Sequence, residues 1–131
     1  MNLSAIEYPQ TTPPAAGSPV AVAPGIEWLR MPLPFALDHI NLWLLQDGDA
    51  YTAVDTGIAL DPVREAWKSV MATRHLGRLL VTHFHPDHLG LAAWLQEQTG
   101  APLWITQGEY LTAHMIKHQL GSYSVPAMCA F

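Results

Sequence analysis

Apolar and polar positions change rhythm twice along this chain. Residues 1–24 show no period at all. The stretch from Pro9 to Pro24 holds five prolines and no charge, which predicts an extended, PPII-like flexible tail. From Gly25 onward, alternation begins. Gly25–Met31 (GIEWLRM) reads as a short strand and Asp38–Gln46 (DHINLWLLQ) as a stronger one. Ile40, Leu42 and Leu44 make one face of it; Trp43 and Leu45 make the other face apolar too, so burial on both sides is expected. Asp47-Gly48-Asp49 is a hairpin turn, and Ala50–Asp55 returns as a strand.

After Thr56-Gly57 the period lengthens to that of a helix. Asp61 is the expected N-cap and Pro62 the first helical residue. Val63, Ala66, Trp67, Val70 and Met71 then fall on one stripe. Arg78–Thr82 reads as a strand, His83–His88 as a polar loop, and Leu89–Gln98 as a helix stopped by Gly100. Pro102–Thr106 reads as a strand and Glu109–Leu120 as a helix stopped by Gly121. A hairpin region followed by helix, strand, helix, strand, helix predicts an α/β (α+β) domain, a mixed sheet with helices on one face. The expected organisation is a tail over 1–24 and one domain over 25–131.

Composition narrows the function. Half of the 131 residues are hydrophobic, 13% are charged, and the net charge is −5. Disorder is excluded over most of the length. With no Lys/Arg run, a nucleic-acid partner is disfavoured. The single cysteine, Cys129, rules out an internal disulfide framework and a multi-Cys zinc site; a reducing, cytoplasmic setting is the plain inference. The longest apolar stretches, such as Ile40–Leu45, fall far short of the roughly 20 residues of a membrane span. No Lys or Arg precedes Arg30, so a basic signal-peptide region is missing.

One hexapeptide concentrates the chemistry: His83-Phe84-His85-Pro86-Asp87-His88. Four of its six side chains are good metal ligands, a pattern expected by chance on the order of once in ten thousand chains this long. Two His separated by one residue at a strand end can point the same way. Asp87 and His88, entering a helix N-terminus, can face a second position nearby. Imidazole and carboxylate together suit zinc and, less selectively, iron or manganese. The flanking Leu80, Val81 and Leu89 hold the loop between buried elements, against the plainer reading of solvated imidazoles. His114 and His118 sit at i, i+4 on the last helix without the Glu of an HExxH motif, and read as ordinary helix residues. His39 and His75 have no motif around them.

The hexapeptide resembles the HxHxDH motif of the metallo-β-lactamase-fold hydrolases. The resemblance runs from about Ile26 to Thr106. It takes in the hairpin ending in Val54-Asp55-Thr56-Gly57, the strand Leu79–Thr82 and the helix start Leu89-Gly90. It implies His83 and His85 on a first metal, Asp87 and His88 on a second, and Asp55 as a support behind them. It also implies two zinc ions in the complete site, and a metal-bound hydroxide attacking an ester, thioester or related small molecule, with Asp87 orienting the water. A hydroxyacylglutathione hydrolase-like (glyoxalase II-like) thioesterase is the favoured form. The family fold is an αββα sandwich of two halves, and its remaining ligands lie in the second half. The chain is therefore expected to be the N-terminal half, a fragment with one sheet face uncovered and able to pair two copies. The alternatives are a non-catalytic metal-binding half, a nuclease-type member of the family, and, last, an interaction module built on the proline-rich tail.

Overall fold

A computed structural model describes residues 6–118. Six strands form one sheet in chain order: β1 (Val20–Ala23), β2 (Ile26–Pro32), β3 (His39–Asp47), β4 (Ala50–Val54), β5 (Leu76–Leu80) and β6 (Leu103–Trp104). β1 to β4 pair antiparallel; β4–β5 and β5–β6 pair parallel. The helices are α1 (Asp61–Met71), α2 (Pro86–Leu89), α3 (Ala92–Thr99) and α4 (Gln107–Lys117). This is the mixed α/β architecture the alternation predicts.

Register decides which side chains share a face. Leu29 lies opposite Leu42, Leu44 opposite Ala53, and Ala53 beside Leu79. These side chains are fully buried, together with Val63, Trp67 and Val70 of α1 and Leu95 of α3. The opposite face carries a row running straight across the sheet: Val20, Trp28, Trp43, Val54, Leu80 and Trp104. Trp43 is 38% exposed and Trp104 55% exposed. The expected burial of β3 on both faces is therefore not met within this chain: the helices cover one side, and the tryptophan row stays open to solvent.

Several local expectations are corrected. Val20–Ala23 pairs with β2 rather than extending as a tail, because Pro24-Gly25, with Gly25 at φ 72°, turns the chain back. Gly17 also lies on α1, where a Cβ would sit 2.8 Å from Ala66 O. Helix α1 starts one residue earlier than expected, with Leu60 in the extended N-cap position. Asp61 makes no cap bond and pairs instead with Arg64 at 2.9 Å. The expected helix 89–98 is two helices, because the Leu91 amide donates to Gly57 O and Thr56 Oγ1, outside its own helix. The segment after α4, including Gly121 and Cys129, lies outside the described residues.

Gly90 shows how tightly α2 is pressed onto the turn after β4. A Cβ there would lie 2.9 Å from both Ala59 N and Gly57 O. Gly90→Ala is expected to cost about 1–3 kcal/mol, the usual size of an overpacking effect. Urea unfolding followed by circular dichroism measures it, and an unchanged midpoint would contradict the close approach.

Candidate metal centre

β4 and β5 run parallel, so their C-terminal ends emerge at the same edge of the sheet. β4 delivers Asp55-Thr56-Gly57 there, and β5 delivers Thr82 and the hexapeptide. The turn after β4 is conformationally demanding. Asp55 has φ 64° and Gly57 φ 81°. A left-handed conformation costs an ordinary residue about 1–2 kcal/mol, and Asp tolerates it better than most. The side chain shows why it is held there.

The Asp55 carboxylate is buried, with only 6% of the residue exposed. Its Oδ1 accepts from the Thr82 amide at 2.8 Å, and both oxygens lie within 3.0 Å of Thr82 Oγ1. Oδ2 also accepts from His88 Nδ1 at 2.8 Å. Thr82 Oγ1 lies 2.9 Å from His83 Nδ1. An ionised carboxylate only accepts, so His88 donates from Nδ1. Thr82 donates its single hydroxyl proton to Asp55 and accepts from His83 Nδ1. One buried carboxylate thereby sets the tautomer of two imidazoles. In its neutral form each carries the proton on Nδ1, with Nε2 facing away from Asp55.

Those Nε2 atoms are where the motif converges. His83 Nε2 lies 3.2 Å from His85 Nδ1. His88 Nε2 lies 3.5 Å from Asp87 Oδ2. The rings of His83 and His88 are 3.9 Å apart between centroids. Two ligands of one tetrahedral zinc, each about 2.0–2.1 Å from it, are about 3.3 Å apart. Both pairs match that spacing, and their donors are imidazole nitrogen and carboxylate oxygen, so the residues present fit divalent metal. Among the described residues no group of three His, Cys, Asp or Glu side chains is gathered for one ion. The donors meet as two pairs.

Thr56 locks the two strand-end loops together and is fully buried. Its amide and hydroxyl both donate to His88 O, at 2.7 and 2.8 Å. Its carbonyl accepts from the Trp67 indole at 2.7 Å. Thr82, Thr56, Trp67 and Gly90 carry no ligand chemistry, and nothing in the sequence announces these particular hydrogen bonds and close approaches. The reach of Glu109 is equally unannounced: its Oε2 accepts from the Phe84 amide at 2.8 Å. His39 pairs with Asp38 at 2.8 Å, and His75 is exposed. His114 and His118 stack loosely on the exposed side of α4, with ring centroids 6.0 Å apart.

The Metallo-beta-lactamase superfamily sequence family matches residues 36–125, and the chain belongs to that superfamily. It is 47% identical over 68 residues to a hydroxyacylglutathione hydrolase of Pseudomonas aeruginosa, a match over 50% of this chain and 26% of that protein. A hydroxyacylglutathione hydrolase of Albidiferax ferrireducens is 39% identical over 74 residues, covering 56% of this chain and 28% of that protein. Among solved structures, a beta-lactamase domain protein from Burkholderia ambifaria superimposes with a TM-score of 0.75 at 47% identity, covering 82% of this chain and 36% of that one. A metallo-beta-lactamase family protein from Thermus thermophilus gives 0.67 at 28% identity, over 79% of this chain and 36% of that one. The chain thus spans about a quarter of the length of the curated relatives it matches. Among the described residues no helix is long and apolar enough to cross a membrane.

Burial first, then the neighbouring His88 and His85, lower the His83 pKa below the ordinary value of 6.5, partly offset by Asp55 and Asp87. Below that pH the unfolded chain binds more protons at this residue than the folded one, so acid destabilises the metal-free fold there. Histidine ¹H–¹⁵N spectra of metal-free protein are expected to show His83 titrating below 6.5. They are also expected to show neutral His83 and His88 protonated at Nδ1. An Nε2-protonated form of either would contradict the Asp55 network.

Proposed function

We propose that this chain is the metal-binding half of a metal-dependent hydrolase acting on a small thioester or ester. The observation that carries this is the pairing of donors at the end of β5. His83 Nε2 and His85 Nδ1 converge at 3.2 Å, and His88 Nε2 and Asp87 Oδ2 at 3.5 Å. His83 and His85 would hold one ion, and Asp87 and His88 a second. Zinc suits this donor set, and iron or manganese also fit. A bound divalent metal acts as a Lewis acid and brings the pKa of water toward neutrality.

The remaining steps belong to the chain. Asp55 and Thr82 engage the Nδ1 atoms of His88 and His83, which leaves the Nε2 atoms turned toward the two pairs. Asp87, partly open to solvent, is placed to orient a water beside the pair. The thioester preference rests on the hydroxyacylglutathione hydrolase relatives. An acidic balance and the lack of a basic patch support a small-molecule substrate over a nucleic acid, and a cytoplasmic setting accords with both. Because the donors meet as pairs, a second reading has its own support: a half that binds metal and turns nothing over until further ligands complete the centre.

Elemental analysis of the purified chain separates the two readings when combined with a thioester hydrolysis assay on an acyl-glutathione. About two metals per chain with turnover supports the enzyme. Weak metal binding without turnover supports the incomplete half. In either case His85→Ala is expected to remove most bound metal, and unchanged metal content in that variant would sink the site assignment.

The open tryptophan row is the surface through which two copies would pair. Sedimentation of the purified chain is expected to show concentration-dependent association. Trp43→Lys together with Trp104→Lys is expected to weaken it, and a chain monomeric at all concentrations would exclude this pairing.

A further inference from the structure

Thr106-Gln107-Gly108-Glu109 has the sequence of a helix capping box. In such a box the Glu at the third helical position reaches back to the amide of its own N-cap residue. Half of the motif is formed here: Thr106 Oγ1 accepts from the Glu109 amide at 3.4 Å. The other half is diverted. Glu109 Oε2 accepts instead from the backbone N–H of Phe84, 25 residues earlier, at 2.8 Å.

Phe84 stands between His83 and His85, the pair that converges at 3.2 Å. Its peptide plane therefore governs how those two imidazoles are aimed. On one side the loop is fixed by the Thr82 amide on Asp55 Oδ1. On the other it is fixed by the turn in which His85 O accepts from His88 N and Leu89 N. The bond to Glu109 lies midway between these anchors. The Phe84 ring adds a contact of its own, edge-on to His85 with centroids 4.9 Å apart.

We infer that Glu109 is a positioning residue of the centre, holding the Phe84 amide so that His83 and His85 stay aimed at one point. This rests on the metal reading proposed above. A carboxylate accepting from a backbone amide is a strong, short hydrogen bond. Partners of this kind behind a ligand typically change metal affinity about 10–100-fold when removed. The bond also ties α4 to the loop, so a displacement of the α4 N-terminus is felt at the histidines.

The test uses the full chain, freed of metal and titrated with zinc against a chromophoric chelator. Glu109→Ala is expected to weaken zinc binding about 10–100-fold and to remove hydrogen-exchange protection from the Phe84 amide. Glu109→Gln, whose side-chain carbonyl can accept the same bond, is expected to restore both. Thr106→Ala removes the helix cap but leaves the Phe84 bond, and is expected to lower melting temperature without changing zinc affinity. Zinc affinity unchanged in Glu109→Ala would overturn the inference. So would a loss in Thr106→Ala equal to that in Glu109→Ala, or a failure of Glu109→Gln to rescue. Should Glu109→Ala not fold, the Gln and Thr106 variants decide. A wild-type chain that takes up no zinc would overturn the metal reading instead. Glu109 would then stand or fall on Phe84 exchange and on the His83–His85 contact in the metal-free spectra.

Discussion

The centre depends on one buried carboxylate in an unfavourable backbone conformation. Asp55 sits at φ 64°, at a cost of about 1–2 kcal/mol for an ordinary residue. Hydrogen bonds to a charged group contribute about 1.5–3 kcal/mol each. Asp55 accepts from the Thr82 amide, the Thr82 hydroxyl and the His88 ring, so its bonds outweigh its strain severalfold. Without the left-handed turn the carboxylate would follow the strand out of the sheet edge. With it, the same group pins the end of β5, the first helix of the motif and the tautomers of two ligand candidates.

The sheet makes this arrangement available. β4 is the seam: antiparallel to β3 and parallel to β5. A parallel pair joined by a crossover helix brings two strand ends to one edge, where loops of different origin can meet. Helix α1 is that crossover, and it does more than connect. Its Trp67 fills the core and also donates to Thr56 O, so packing under the sheet and positioning at its edge are one element. Gly90 lets the two loops approach to distances that a side chain would block, and a Cβ on Gly57 would meet Val63 of α1 at 2.8 Å.

Legibility in the sequence follows the reach of each interaction. The hexapeptide is local, its ligand types are rare, and their spacing alone singles them out. The hairpin, α1 and β5 follow from short-range periodicity and turn chemistry. Asp55 is legible only through the resemblance of the Asp-Thr-Gly turn, because a lone Asp at a strand end is otherwise ordinary. Thr56, Thr82, Trp67 and Glu109 act through hydrogen bonds spanning up to 35 residues, or through backbone groups that any residue possesses, and no period records them. The first strand is masked because prolines dominate its segment. Pro24-Gly25 between Val20–Ala23 and Ile26 is the turn signal that reveals it. The break before α3 is hidden because Leu91 continues an apolar helical pattern while its amide bonds elsewhere.

The spread of chain separations also imposes an order of assembly. The meander β1–β4 is made of neighbours in sequence, and its loops are short to close. Asp55 and His88 are 33 residues apart, and Phe84 and Glu109 are 25 apart. Loop-closure entropy rises with such separations, and contacts of this kind form late in folding. The framework is thus in place before its own chemistry. A cation held at that edge would then act as a late clasp, closing the crossover rather than nucleating the sheet.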